Sequence, residues 1–126
     1  MPNQKIKSFM DLVGWQEAHK LVLTIYIITK KFPHEESFAL TSQMRRAAVS
    51  ITSNLAEGFS RQSYNDKIRF YFMAQGSNTE LQNQLLIARD IHYITTEQAT
   101  KIVNQCIVVQ KLIYGLIKKS RLLNSS

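Results

Sequence analysis

Residues 41–61 read TSQMRRAAVSITSNLAEGFSR, and the fold is decided here. Wound at 3.6 residues per turn, the stretch carries two stripes. With the preceding Leu40, the residues Met44, Ala48, Ile51 and Leu55 recur at spacings of four and three. That is the apolar seam of a helix packed in a bundle. Beside it runs a polar stripe: Gln43, Arg46, Ser50, Asn54, Glu57 and Arg61. Ala47 and Gly58 lie between the stripes and leave room for a second helix. Three readings of the polar stripe stay open: a solvated flank, a hydrogen-bond network with another helix or subunit, or a catalytic site. Arg46 and Glu57 lie too far apart along the axis to pair, whereas Glu57 and Arg61 are one turn apart. Gln43, Arg46, Asn54 and Glu57, with Glu80 downstream, form the candidate polar network. Arg46 is expected to pair with Glu80, since both border small residues on consecutive helices.

Working outward, the chain divides into four helical periods. The first spans about 9–31, with Leu12, Trp15, Ala18, Val22, Ile25 and Thr29 as its seam. Trp15 reads as a core anchor whose indole N–H needs a partner. Phe32-Pro33 ends this helix, because proline disfavours a helical residue before it. The second helix spans about 38–59, with Gly58 as its stop signal. The third spans about 63–90, opening at Ser63 as N-cap with Asp66 three residues on. Its seam reads Phe70, Ala74, Ser77, Leu81, Leu85 and Ala88. Gly76 and Ser77 suit a close helix crossing. Phe70, Tyr71 and Phe72 are consecutive, so they cannot all enter one core. Thr95 or Thr96 caps the fourth helix, about 96–120, with Ile102, Cys106, Val109, Ile113 and Leu116 as its seam. Residues 1–8 and 122–126 read as loose ends. The 126 residues make one domain (1–126) with few breakers: four Gly and two Pro. The expectation is an all-α, up-down-up-down four-helix bundle, in which the first and last helices are adjacent.

Charge adds a functional clue. The net charge is +7. Lys5, Lys7, Lys20, Lys30 and Lys31 outnumber Asp11 and Glu17 in the first segment. Lys101, Lys111, Lys118, Lys119 and Arg121 outnumber Glu97 in the last. Between them, positive and negative charges balance. In an up-down bundle the two excesses merge into one basic face. A polyanion is the matching partner, nucleic acid above all. Lys20, Lys30, Lys31, Lys101, Lys111, Lys118 and Lys119 are the candidate phosphate contacts. Arg45 joins them, because the periodicity points it away from the seam. The alternatives are an acidic protein or a membrane surface as partner, a surface that only confers solubility, and for Lys118, Lys119 and Arg121 a cationic helix end matched to its dipole.

Several chemistries lack their residues. His19, His34 and His92 are scattered, and no Glu-x-x-His pair is present for a di-metal bundle. No Gly-rich phosphate loop occurs. Cys106 is the sole cysteine, on an apolar face, which suits a buried thiol and forbids an internal disulfide. The Arg and His of HEPN-type RNases have only Arg89 and His92 as a match, too closely spaced. No catalytic residue, metal site, cofactor or small-molecule substrate is expected. No apolar run is long enough to span a membrane. No secretory signal is visible, so a cytoplasmic location is expected.

The segment QMRRAAVSITSNLAEG at 43–58 resembles the signature of proteins encoded in intervening sequences of bacterial 23S ribosomal RNA genes. That family of small four-helix bundles includes the accessory variability protein of diversity-generating retroelements. FMDLVGWQEAHKL (9–21), KFPHEESFAL (31–40), RFYFMAQGSNTELQNQL (69–85) and IHYI (91–94) match it in order. One departure is His92, where the family more often has Gly before the Tyr. The resemblance implies a non-enzymatic bundle assembling into a homopentameric barrel and binding RNA or DNA through a basic surface. In the retroelement branch it implies a reverse transcriptase as partner. A protein scaffold or accessory subunit, with nucleic-acid binding incidental, is the alternative.

Overall fold

The computed structural model describes residues 5–125. The reading of residues 1–4 and Ser126 as loose lies outside the described residues. Four helices form: α1 (Val13–Thr29), α2 (Leu40–Ser60), α3 (Tyr64–Asp90) and α4 (Thr96–Asn124). The described residues contain no strand.

Helix ends differ from the sequence reading where local hydrogen bonds intervene. The chain does not enter α1 at Phe9. Phe9–Asp11 is instead a separate 3-10 turn capped by Ser8, whose hydroxyl accepts from the Met10 amide. The Asp11 carboxylate accepts from the amides of Lys7 and Ser8, at 2.9 and 3.1 Å. These bonds, Lys7 first, hold its pKa below the ordinary carboxylate value. Leu12 is extended and breaks the chain before α1. A second 3-10 turn, His34–Glu36, fills the α1–α2 connection. Ser63 and Thr95 cap α3 and α4, and the Thr95 amide donates in return to Gln98 Oε1. Leu122–Asn124 are not loose but complete α4.

Gly58 does not stop α2, which continues to Ser60. It lets α3 come close instead: a Cβ at Gly58 would lie 2.6 Å from Tyr71 Cε1. The C-terminal carbonyls of α2 are capped from α3, where Lys67 Nζ donates to Phe59 O at 2.6 Å and Gly58 O at 3.4 Å. Partial burial lowers the Lys67 pKa.

Each helix packs on two others. α2 and α4 both flank α1, and α2 and α4 both flank α3. Neighbours run antiparallel. Arg45 near the start of α2 bonds Thr29 at the end of α1. Gly14 at the start of α1 faces Leu112 and Leu116 in the second half of α4. Asn124 at the end of α4 bonds Asn65 at the start of α3. The chain is therefore all-α, with α1 and α4 side by side.

The core holds the whole α2 seam, Leu40, Met44, Ala48, Ile51 and Leu55. From α1 come Ala18, Leu21 and Ile25; from α4, Ile102, Cys106, Val109, Ile113 and Ile117. Trp15 packs only partly against the core, edge-on to Phe9 and stacked on His19 at 4.8 Å. In α3 the seam turns by one residue. Tyr71 and Asn78 are buried where Phe70 and Ser77 were expected, and these two are only half-buried. Gly76 faces open space, with nothing within 4 Å of a Cβ there, so it marks no crossing. Asn78, fully buried, donates to the Cys106 carbonyl at 2.9 Å.

His92 stands in the left-handed region at φ 68°, the only described non-Gly residue at positive φ. A side chain there costs about 1–2 kcal/mol, and the resemblance places Gly at this position. His92→Gly is expected to raise stability in urea unfolding by about 1 kcal/mol, after allowing for the extra freedom of Gly in the unfolded chain. A loss of stability would contradict this.

Candidate nucleic-acid interface

Of the basic residues expected to meet phosphate, all but Arg45 lie on α1, on α4 or just past the end of α1, and all of these are exposed. Lys20 and Lys101 each border a groove between these helices, and Gln105 lines both grooves. Lys111, Lys118 and Lys119 are exposed on α4, and Lys30 and Lys31 are exposed just past α1. Because the helices are antiparallel, Lys30 and Lys31 lie toward the Lys101 end. Lys118 and Lys119 lie at the other end. Lys111 and Lys118, seven residues apart, share a face with about 10 Å between them along the axis. Lys101 and Lys119 are five turns apart, about 27 Å. The cations are thus strung along the bundle, a spacing that suits a row of phosphates better than one small anion. Lys20 is paired with Glu17 at 2.9 Å, a solvent-exposed pair of little strength. Apolar side chains of the same two helices are exposed as well, among them Val13, Leu23, Ile27 and Val108.

Arg45 does not point away from the seam. It is half-buried against α1, its Nε donating to Thr29 Oγ1 at 2.9 Å and its Nη2 to the Tyr26 carbonyl at 3.4 Å. Its guanidinium carbon sits 4.5 Å from the Tyr26 ring centroid. The branching of Thr29 and the aromatic face of Tyr26 draw it back across the helix.

The polar stripe is realised in part. Ser50 and Ser77 hydrogen-bond across α2 and α3 at 2.8 Å, and Asn54 Nδ2 donates to both the carbonyl and the hydroxyl of Ser50. Glu57 pairs with Arg61 at 3.1 Å within its own helix. Arg46 and Glu80 border one groove of about 270 Å³ with Gln43, Ser50, Ser77 and Gln84. They do not form the expected ion pair. Both side chains are exposed, where solvation competes with pairing, although the Ser50–Ser77 contact brings α2 and α3 close one turn away. A double-mutant cycle of Arg46→Ala and Glu80→Ala is therefore expected to be additive within about 0.5 kcal/mol. A larger coupling in urea unfolding would contradict the geometry. Gln84 is buried, and its Oε1 has no partner in the protein.

Burial raises the Cys106 thiol pKa to about 12, so the group is inert at neutral pH. Among the described residues no group of three or more His, Cys, Asp or Glu could hold a metal ion. No described helix is long and apolar enough to cross a membrane.

Sequence reasoning missed Asn78, because a polar residue in a seam position reads as an interruption. It also missed Lys67, whose role needs the end of α2 to be placed first.

The structure resembles a 1.70 Å crystal structure of a protein with unknown function from the S23 ribosomal protein family of Bacteroides thetaiotaomicron VPI-5482. The TM-score is 0.78 at 27% identity, covering 84% of this chain and 99% of the other. No curated protein matches the chain. The profile of the 23S rRNA-intervening sequence proteins matches residues 10–115, nearly the whole helical body, and the chain belongs to that family.

Proposed function

We propose that this is a non-enzymatic nucleic-acid-binding protein, contacting RNA or DNA phosphates through the lysines of α1 and α4. The observation that carries the reading is the adjacency of these helices, which joins the basic excesses of the two ends of the chain. Membership of a family associated with the 23S rRNA intervening sequence supports it. Lys101, Lys111, Lys118 and Lys119 are exposed. None of these four has a carboxylate within ion-pair distance. Each is therefore free to release a phosphate counterion. The protein acts as a homo-oligomer, a pentamer by resemblance, in the cytoplasm.

A second reading is favoured by Val13, Leu23, Ile27 and Val108. Exposed apolar side chains among the lysines suit a protein scaffold or an accessory subunit, for example of a reverse transcriptase. Charge reversal separates the two. Lys111→Glu with Lys118→Glu is expected to weaken binding of a labelled structured RNA at least tenfold and to lower the log–log salt slope by about 2. Both positions are exposed, so the fold should persist. Unchanged affinity would reject this interface.

A further inference from the structure

The five arginines of α2 and α3 and the turn between them divide by their surroundings. Arg61, Arg69 and Arg89 each lie within 3.5 Å of a carboxylate, from Glu57, Asp66 and Asp90. Arg45 and Arg46 have no such partner. Both line the open groove between α1 and α2, a space of about 630 Å³. Its other polar walls are hydroxyls, among them Ser37, Ser42 and Ser53, and no Asp or Glu lines it. Two cations thus share a concave surface without a counter-charge.

Their states differ in a useful way. Arg45 uses two of its donor groups on Thr29 and Tyr26 and is stacked on the Tyr26 ring. A guanidinium has five N–H donors, so most of its fork stays free in a fixed orientation. Arg46 is exposed on the ridge and free to swing in. One held and one mobile guanidinium suit a phosphate group, which accepts in several directions.

At one end of this groove, Ser37 is followed by Phe38, which is 98% exposed. An aromatic ring bare to water, next in the chain to a residue lining a cationic groove roomy enough for a nucleotide, matches the two parts of that ligand. Unpaired bases stack on such rings, and their phosphates meet arginines. We propose that the α1–α2 groove binds a nucleotide of a single-stranded segment, with its phosphate between Arg45 and Arg46 and the neighbouring base stacked on Phe38. This inference rests on the nucleic-acid reading and adds to it a second surface, next to the lysine face. A structured RNA with an unpaired stretch would engage both.

The test uses the whole chain and two labelled probes, a short single-stranded oligoadenylate and a duplex of mixed sequence, followed by anisotropy. Phe38→Ala and Arg46→Ala are the variants, since both side chains are exposed and neither supports the core. Each variant should weaken oligoadenylate binding about tenfold, and duplex binding should change less than twofold. Arg46→Ala should also lower the salt slope for oligoadenylate by about 1. If wild type binds oligoadenylate and neither variant alters it, the groove assignment is wrong while the nucleic-acid reading stands. If wild type binds duplex but not oligoadenylate, the groove assignment again fails alone. If wild type binds neither probe at low salt, the nucleic-acid reading fails and this inference with it. Displacement of oligoadenylate by polyglutamate with undiminished strength in Phe38→Ala would show a site for acidic chains in general, which also overturns the nucleotide assignment.

Discussion

Asn78→Asp should destabilise the protein by about 3–5 kcal/mol at neutral pH, the cost of an uncompensated buried charge. Asn78 is fully buried on α3, and its Nδ2 donates to the Cys106 carbonyl on α4. Aspartate has nearly the same shape but no N–H. Ionised, it sets a carboxylate oxygen against the Cys106 carbonyl, with only the long 3.5 Å contact from Gln82 Nε2 left to its other oxygen. A domain of this size has about 5–15 kcal/mol of stability in all, so the loss is a large share of it. The defect should depend on pH with a definite sign. Burial raises the pKa of the introduced carboxyl in the folded state above its unfolded value near 3.9. Between those two values the folded variant holds a proton that the unfolded chain has lost, so stability falls as pH rises through the window. Lowering the pH from 7 toward 5 should narrow the gap to wild type, because the protonated carboxyl can donate to Cys106 O. Asn78→Leu, which brings no charge, should cost less and show no such recovery. Urea unfolding of the three proteins at both pH values is the check, and a variant as stable as wild type at pH 7 would contradict the burial of this group.

Glycine-to-alanine changes should have opposite signs at different points of the helices. At Gly58 the new methyl would stand 2.6 and 2.9 Å from Tyr71 Cε1 and Cδ1, and 3.1 Å from Phe70 Cβ. The Tyr71 ring is buried and cannot swing into solvent. Overpacking of this kind costs about 1–3 kcal/mol, and alanine returns up to about 1 kcal/mol through helix propensity. The net result is a loss of up to about 2 kcal/mol, and Gly58→Leu should lose more. At Gly76 and Gly115 nothing lies within 4 Å of the added methyl. Only the propensity gain remains there, about 1 kcal/mol each. Thermal melts should therefore place Gly58→Ala below wild type and Gly76→Ala and Gly115→Ala above it. A stabilised Gly58→Ala would contradict the close approach of α2 and α3.

The architecture was legible because four apolar seams repeat with helical spacing, and in α2 every seam residue named from periodicity is buried. α3 was harder to read. Its buried side includes Tyr71, Asn78 and Gln84, so the hydrophobic pattern that marks a core face is diluted there. The glycines misled for a related reason. Gly58 has the composition signal of a helix end, yet its purpose is contact with a ring on another helix, which no local pattern reveals. Helix ends shifted where a short side chain captured backbone amides, as Ser8 and Asp11 do before α1. Lysine positions were legible as charge, and the adjacency of α1 and α4 follows from the connection lengths. Arg45 was not. Its direction depends on Thr29 and Tyr26, sixteen and nineteen residues earlier. The expected Arg46–Glu80 pair did not form, although the two residues line one groove, because side chains this exposed gain little from pairing.

The central claim is that the α1–α4 face binds nucleic-acid phosphates. It is tested most directly by the anisotropy of a labelled structured RNA titrated with wild-type protein from low to physiological salt. The account predicts submicromolar binding at low salt and a steep linear fall of log affinity with log salt, because several lysine contacts each release counterion. No binding at low salt, or an affinity indifferent to salt, would contradict it and transfer the exposed lysines and apolar side chains of this face to a protein partner.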